Sequence, residues 1–229
     1  MVQVIGTKLF LRFKFIKRGS LQYISHLDLV RTMNKVIVRA KLPLWYTEGF
    51  NPKPKMIFAA PLSIGTESEC EYMDIRMSEY IDPAEAMALI NANMTSEMQV
   101  TEAYYPISKF TDLKWMSYRI TVSPATMSDL LIDCCNEALS SNVIEVVKKN
   151  SDKTMDIRPL IKNANAVREG DCLVIDTVLS ADPSSFLNPE YIVKYLRDKC
   201  GLLSCSDLMA EHYEVLRTNA YFDDMTEFR

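Results

Sequence analysis

Lys8-Leu9-Phe10-Leu11-Arg12-Phe13-Lys14-Phe15 is the stretch on which the fold turns. Leu9, Leu11, Phe13 and Phe15 alternate with Lys8, Phe10, Arg12 and Lys14. A period of two is that of a strand with one buried face. The buried face is apolar here, and the opposite face is basic and carries one aromatic ring, Phe10.

Working outward, Arg18-Gly19-Ser20 turns the chain and Ser25 opens a helix to about Lys41. Leu29, Val30, Met33, Val36, Ile37 and Ala40 form its apolar stripe, and Pro43 ends it. The segment Glu48-Gly49-Phe50-Asn51-Pro52-Lys53-Pro54-Lys55 is a loop stiffened by its prolines. Strands are expected near Met56–Leu62 and Glu69–Met77, then a helix capped by Asp82-Pro83 and running through Asn93, then a strand at Met98–Tyr105. The order is βαββαβ. The second half repeats it: a strand at Trp115–Val122, a helix from the Ser123-Pro124 cap to Leu139, and strands at Val143–Lys149 and Cys172–Ser180. A shorter strand at Met155–Ile161 lies between those two, a helix from Asn188-Pro189 to Cys200 follows, and Tyr213–Tyr221 closes the pattern. The expected architecture is α+β: two tandem ferredoxin-like domains, residues 1–110 basic and 111–229 acidic, meeting near Ser108–Lys114.

The charge is divided as unevenly as the pattern is regular. Residues 1–60 hold eleven Lys and Arg against Asp28 and Glu48, a net of +9, within a chain whose formal net charge is −4. A field of one sign draws in ligands of the other, so the N-terminal part is expected to meet a polyanion. No apolar run approaches the roughly 18 residues of a membrane span. Met1-Val2-Gln3-Val4-Ile5-Gly6 has no signal-peptide character, so a cytoplasmic protein is expected. Cys70, Cys134, Cys135, Cys172, Cys200 and Cys205 form no C-x-x-C, and the histidines are only His26 and His212. The expectation is free, mostly buried thiols, no metal and no cofactor.

The densest polar constellation is Tyr23-Ile24-Ser25-His26-Leu27-Asp28. Capping accounts for Ser25 and Asp28 as a variant capping box. His26 is left over, as a phosphate ligand or, with Asp28, as a weak catalytic candidate acting on a ribose hydroxyl. Arg31, Lys35 and Arg39 recur every four residues and line one helix face without the acids that usually accompany such a row. Together with Lys8, Arg12, Lys14, Lys53 and Lys55 they are candidates to hold phosphates, with Phe10 or Phe50 stacking on a base. No phosphate-cradling glycine motif occurs, which disfavours nucleotide hydrolysis. Met155-Asp156-Ile157-Arg158-Pro159-Leu160-Ile161 reads as a local Asp/Arg ion pair at a strand end.

Taken together these segments resemble the radical SAM-linked protein family, a domain of unknown function found beside or fused to radical S-adenosylmethionine proteins. The resemblance lies in Arg12-Phe13-x-Phe15 with Lys17 and Gly19, Tyr23 through Leu29 with Arg31, Arg39-Ala40-x-Leu42-Pro43, and Glu48 through Lys55. It continues in Pro61-Leu62-x-Ile64-Gly65, Glu67-Ser68-x-x-Glu71-Tyr72 and, more loosely, Asp156-Ile157-Arg158-Pro159. It implies a radical SAM protein partner and RNA- or ribosome-related work, and it transfers no catalytic residue. The chain lacks the C-x-x-x-C-x-x-C arrangement of a radical SAM cluster, so radical chemistry would occur on another polypeptide. The expectation is a non-catalytic adaptor that binds tRNA or rRNA through its N-terminal domain and a partner protein through its acidic domain. The rivals are an RNA-processing or RNA-modifying enzyme using His26 and Asp28, and a protein–protein module without RNA.

Overall fold

The structure is a computed structural model that describes residues 8–148, 153–205, 207 and 210–229. The expectation for Met1–Gly6, and the end of the expected strand at Lys149, lie outside the described residues. Two compact units form: Met1–Asp112 with Arg229, and Leu113–Phe228. Both are mixed α/β with antiparallel sheets, and the chain has four α-helices among the described residues.

In the first unit the order is β1 (Phe10–Lys17), α1 (His26–Arg39), β2 (Met56–Phe58), β3 (Thr66–Arg76), α2 (Pro83–Asn91) and β4 (Val100–Tyr104). Strand β1 lies between β4 and β3, and β2 pairs with β3, every pairing being antiparallel. The register sets Arg12 opposite Asp74 on β3 and Tyr104 on β4. Leu11, Phe13 and Phe15 are buried with Met73 and Ile75 of β3, Leu29, Met33, Val36 and Ile37 of α1, and Ala86 and Ile90 of α2. Each fully buried side chain of this size contributes roughly 1.5–3 kcal/mol, and this cluster holds both helices to one face of the sheet.

The ends of α1 follow from local chemistry. Ser25 caps it, its hydroxyl accepting from the Asp28 backbone N–H at 3.2 Å and donating to the Asp28 carboxylate at 2.8 Å. At the far end Lys41 takes a left-handed φ of 54°, and Pro43 follows. Gly19 has φ of +58° and its N–H donates to Glu67, while a Cβ there would collide with the Glu97 side chain. Glycine takes this left-handed turn without strain, and any side chain there would displace Glu97.

The second unit has β5 (Trp115–Ser123), α3 (Asp129–Leu139), β6 (Glu145–Val147), β7 (Thr154–Asp156), β8 (Ile161–Glu169), β9 (Cys172–Ser180), α4 (Glu190–Cys200) and β10 (His212–Tyr221). Its sheet runs β10-β5-β9-β8, again antiparallel. Three expectations are corrected here. The strand expected over 143–149 is present at Glu145–Val147, but it pairs with β7 in a separate two-stranded ribbon rather than in the sheet. The partner of β9 is β8, whose residues Asn163, Ala164, Asn165 and Ala166 give too weak an apolar alternation to read. Asn136 fixes it, its side chain bonding both the backbone N–H and the carbonyl of Ala166. Helix α3 opens at Ser128, whose hydroxyl accepts from Leu131 N–H, because Ser123 still belongs to β5.

The cysteines also depart from expectation. Cys134 of α3 is disulfide-bonded to Cys200 of α4, with Cα atoms 5.9 Å apart. A separation of 66 residues leaves no trace in sequence spacing. Cys70 and Cys135 are buried and take no part in a disulfide, and burial pushes the Cys135 thiol up to about 11. A non-reducing peptide map should show a Cys134–Cys200 crosslink and slow alkylation of Cys135. In urea denaturation, Met33→Ala should cost about 2–5 kcal/mol, whereas Val38→Ala on the exposed face of α1 should stay within about 0.5 kcal/mol.

Candidate functional site

Alternation along β1 sends Phe10, Arg12 and Lys14 to the face opposite the helices, as its period requires. What those residues do there differs from the expected open basic row. Arg12 is fully buried. Its Nε donates to Asp74 Oδ1 at 2.7 Å and Nη2 to Oδ2 at 2.9 Å, a two-point ion pair. Nη1 donates to the Ser108 hydroxyl at 2.8 Å and Nη2 to the Ser108 carbonyl at 3.1 Å. The guanidinium also lies 4.4 Å from the centre of the Phe110 ring. Its charge is therefore neutralised within the first unit and is withdrawn from the set of phosphate ligands. Burial pushes the Asp74 carboxyl upward, against the downward pull of the Arg12 hydrogen bonds. Lys14 is half-buried and donates to Glu102 at 3.2 Å, so it too is taken up inside the sheet.

Beside this ion pair a cavity of about 320 Å³ opens. Lys8, Phe10, Ile57, Asp74, Ser108, Lys109 and Phe110 are among the residues that line it. Lys8 and Lys109 are exposed. The walls are mostly apolar, with the Asp74 carboxylate and two ammonium groups as the charged exceptions, and the volume is at the lower end of small-molecule sites. Of the expected ligands, Lys8 and Phe10 belong to this cavity. Asp74, Ser108, Lys109 and Phe110 were not anticipated. The one available signal was Asp74 itself: an acid set directly between the apolar Met73 and Ile75 on a strand needs a cation if it is buried.

The remaining candidates lie on α1 and the following loop. Arg31 is exposed and paired with Asp28 at 3.0 Å. Asp28 is held below the ordinary carboxylate range by the Ser25 hydroxyl and then by Arg31. His26 is exposed, its ring edge-to-face with Phe58 at 5.5 Å. Lys35 and Arg39 are exposed on α1, and neither has an acidic partner among the described residues. The loop is ordered less by its prolines than by a short ladder. Thr47 and Lys53 bond through their backbones, the Thr47 hydroxyl accepts from Lys53 N–H, and Tyr46 bridges to Pro54. Phe50 stands fully exposed at the tip, with Lys53 exposed below it and Lys55 half-buried. Arg76 stacks on Trp45 at 3.6 Å, bracing the base of the loop.

In the second unit, Asp156 accepts from the backbone N–H groups of Ile144 and Arg158, and the Arg158 guanidinium donates to the Ile161 carbonyl. Backbone capping replaces the side-chain ion pair expected there. No group of His, Cys, Asp and Glu among the described residues is arranged to hold a metal ion. No helix among them is long and apolar enough to cross a membrane.

The family described as "Uncharacterized protein conserved in bacteria (DUF2344)" matches residues 11–189. Comparison with curated proteins finds no match. Among solved structures, one chain of a crystal structure of a Cbf5-Nop10-Gar1 complex is similar at 10% identity with a TM-score of 0.47; the match covers 91% of the present chain and 49% of that one. The chain thus spans about half the length of that relative. A crystal structure of an unknown protein from Galdieria sulphuraria matches at 7% identity and a TM-score of 0.25, covering 92% and 98% of the two chains.

The ion pair under the cavity makes a direct test. Asp74→Ala should destabilise the first unit by about 3–5 kcal/mol, because it leaves a buried guanidinium unmatched. Replacing both partners, Arg12→Met with Asp74→Leu, should recover most of that loss in urea denaturation.

Proposed function

We propose that this chain, which belongs to the DUF2344 family, is a cytoplasmic RNA-binding adaptor that presents tRNA or rRNA to a radical SAM partner protein. The observation that carries the reading is a set of exposed cations with no acidic partner among the described residues: Lys35 and Arg39 along α1, and Lys53 on the loop that carries the exposed ring of Phe50. Cations left unpaired on a surface are available to phosphates, and an exposed ring at a braced loop tip is available to stack on a base. Arg31 contributes less, because Asp28 already holds it.

The strand order of each unit, with the first strand at the centre beside the last and the third, supports reading both as ferredoxin-like. The strands that follow α3 and carry the β6–β7 ribbon are an addition to that plan in the second unit. The radical SAM partner rests on the family resemblance described above, and the acidic second unit is the surface we assign to it. The chemistry at the start of α1 favours an adaptor over an enzyme. Asp28 is engaged by Ser25 and Arg31, and the His26 ring packs on Phe58 rather than facing a base or nucleophile.

Fluorescence anisotropy with tRNA and rRNA fragments across a salt series tests the proposal. Each phosphate neutralised on a single strand adds about −0.7 to the slope of log K against log salt. Lys35→Glu with Arg39→Glu should flatten that slope by about 1.4 and weaken binding about tenfold or more at low salt. An unchanged slope would remove α1 from the interface. Failure of wild type to bind at about 50 mM salt would leave the basic surface for a protein partner.

A further inference from the structure

The cavity beside the Arg12–Asp74 pair combines features that an exposed phosphate-binding surface does not need. Its walls include the rings of Phe10 and Phe110 and the side chain of Ile57. Among them sits a carboxylate, and two lysines whose ammonium groups have no acidic partner among the described residues, Lys8 and Lys109, stand exposed in its lining; the Lys109 backbone N–H donates to Asp112. Arg12 already balances Asp74, so the lysines set the net charge that a ligand meets. A purely apolar occupant would leave Asp74 desolvated without a further donor. A simple inorganic anion would leave the aromatic walls wet. The complementary ligand has a flat ring system with an N–H edge and an attached anionic group.

We propose that this cavity binds a single nucleotide residue. The base lies among Phe10, Ile57 and Phe110, an N–H of the base donates to Asp74, and the phosphate is held by Lys8 and Lys109. An ionised carboxylate offers about four lone-pair directions, and the Arg12 bonds named above use two of them. The site is preorganised: Arg12 fixes Ser108 through two hydrogen bonds and faces the Phe110 ring, so the wall formed by residues 108–110 is set before any ligand arrives. The inference deepens the RNA reading, on which it rests for its ligand. A free mononucleotide and an unstacked residue of a strand share this chemistry, and the experiment separates them.

Isothermal titration of wild type with the four 5′-mononucleotides, adenosine and ribose 5-phosphate reads the two halves of the site. At least one mononucleotide should bind in the millimolar range or tighter, with ribose 5-phosphate and adenosine each about tenfold weaker. Ile57→Trp fills the cavity from a half-exposed strand position and should abolish mononucleotide binding. Lys109→Glu, at an exposed position, should weaken mononucleotides about tenfold but leave adenosine unchanged. The same proteins titrated with an RNA strand identify the source. Loss of strand affinity in Ile57→Trp, with the salt slope retained, places a base of the strand in the cavity. Mononucleotide binding without strand binding upholds the cavity as a free-nucleotide site and removes the RNA reading. Salt-dependent strand binding that Ile57→Trp leaves intact, with no mononucleotide binding by wild type, overturns the cavity proposal while the RNA reading stands. Mononucleotide binding that survives both Ile57→Trp and Lys109→Glu also overturns it.

Discussion

A guanidinium group sealed from water keeps its charge and its donors, and each donor must meet an acceptor. Arg12 is in that position at the centre of the first unit. Asp74 can supply both carboxylate oxygens only if β1 and β3 pair in the register that sets the two residues opposite one another. Ser108 can supply its hydroxyl and carbonyl only if the chain beyond β4 folds back over the same face of the sheet. One charge thus fixes a strand register and the course of a connecting segment. A slip of one residue would move Arg12 into the aliphatic core beneath the helices, and Leu11 and Phe13 to the polar side. The cavity beside the pair exists because these constraints are met.

The two units solve the same packing problem with different surfaces. Each places its first strand between the last and the third and closes with antiparallel pairing. The first carries a concentration of positive charge, part drawn inward to Asp74 and Glu102 and part left on α1 and the loop. In the second unit Arg119 meets Asp176 across β5 and β9 and Lys114 meets Asp182. Both of these pairs lie at the surface, where such contacts add little to stability.

Patterns with a strong period were legible before any coordinates. The strand carrying Leu11, Phe13 and Phe15, the α1 stripe of Leu29, Met33, Val36 and Ile37, and the Asp82-Pro83 cap were all readable from spacing. Strand β8 was not, because alanine and asparagine carry little of the hydrophobic contrast on which periodicity depends, and its place is set by the Asn136 side chain from another element. The exposed cations of α1 were legible as a row. The fate of Arg12 was not, since whether an outward residue meets water or a folded-back segment depends on residues 62 and 96 positions away. The disulfide failed to read for the same reason: Cys134 and Cys200 become neighbours only once α3 and α4 lie side by side.

That bridge also changes how the second unit responds to a pull. With Cys134 joined to Cys200, a sequence separation of 66 is closed into a loop that contains β6, β7, β8 and β9. Tension applied along the polypeptide enters this region at one sulfur and leaves at the other, so the covalent link carries the load. Strands β8 and β9 cannot be drawn out to full length while the bridge stands. A machine that threads unfolded chains end to end, such as a processive protease, would meet a two-stranded obstacle at the bridge and would need the disulfide reduced to two thiols to pass beyond it.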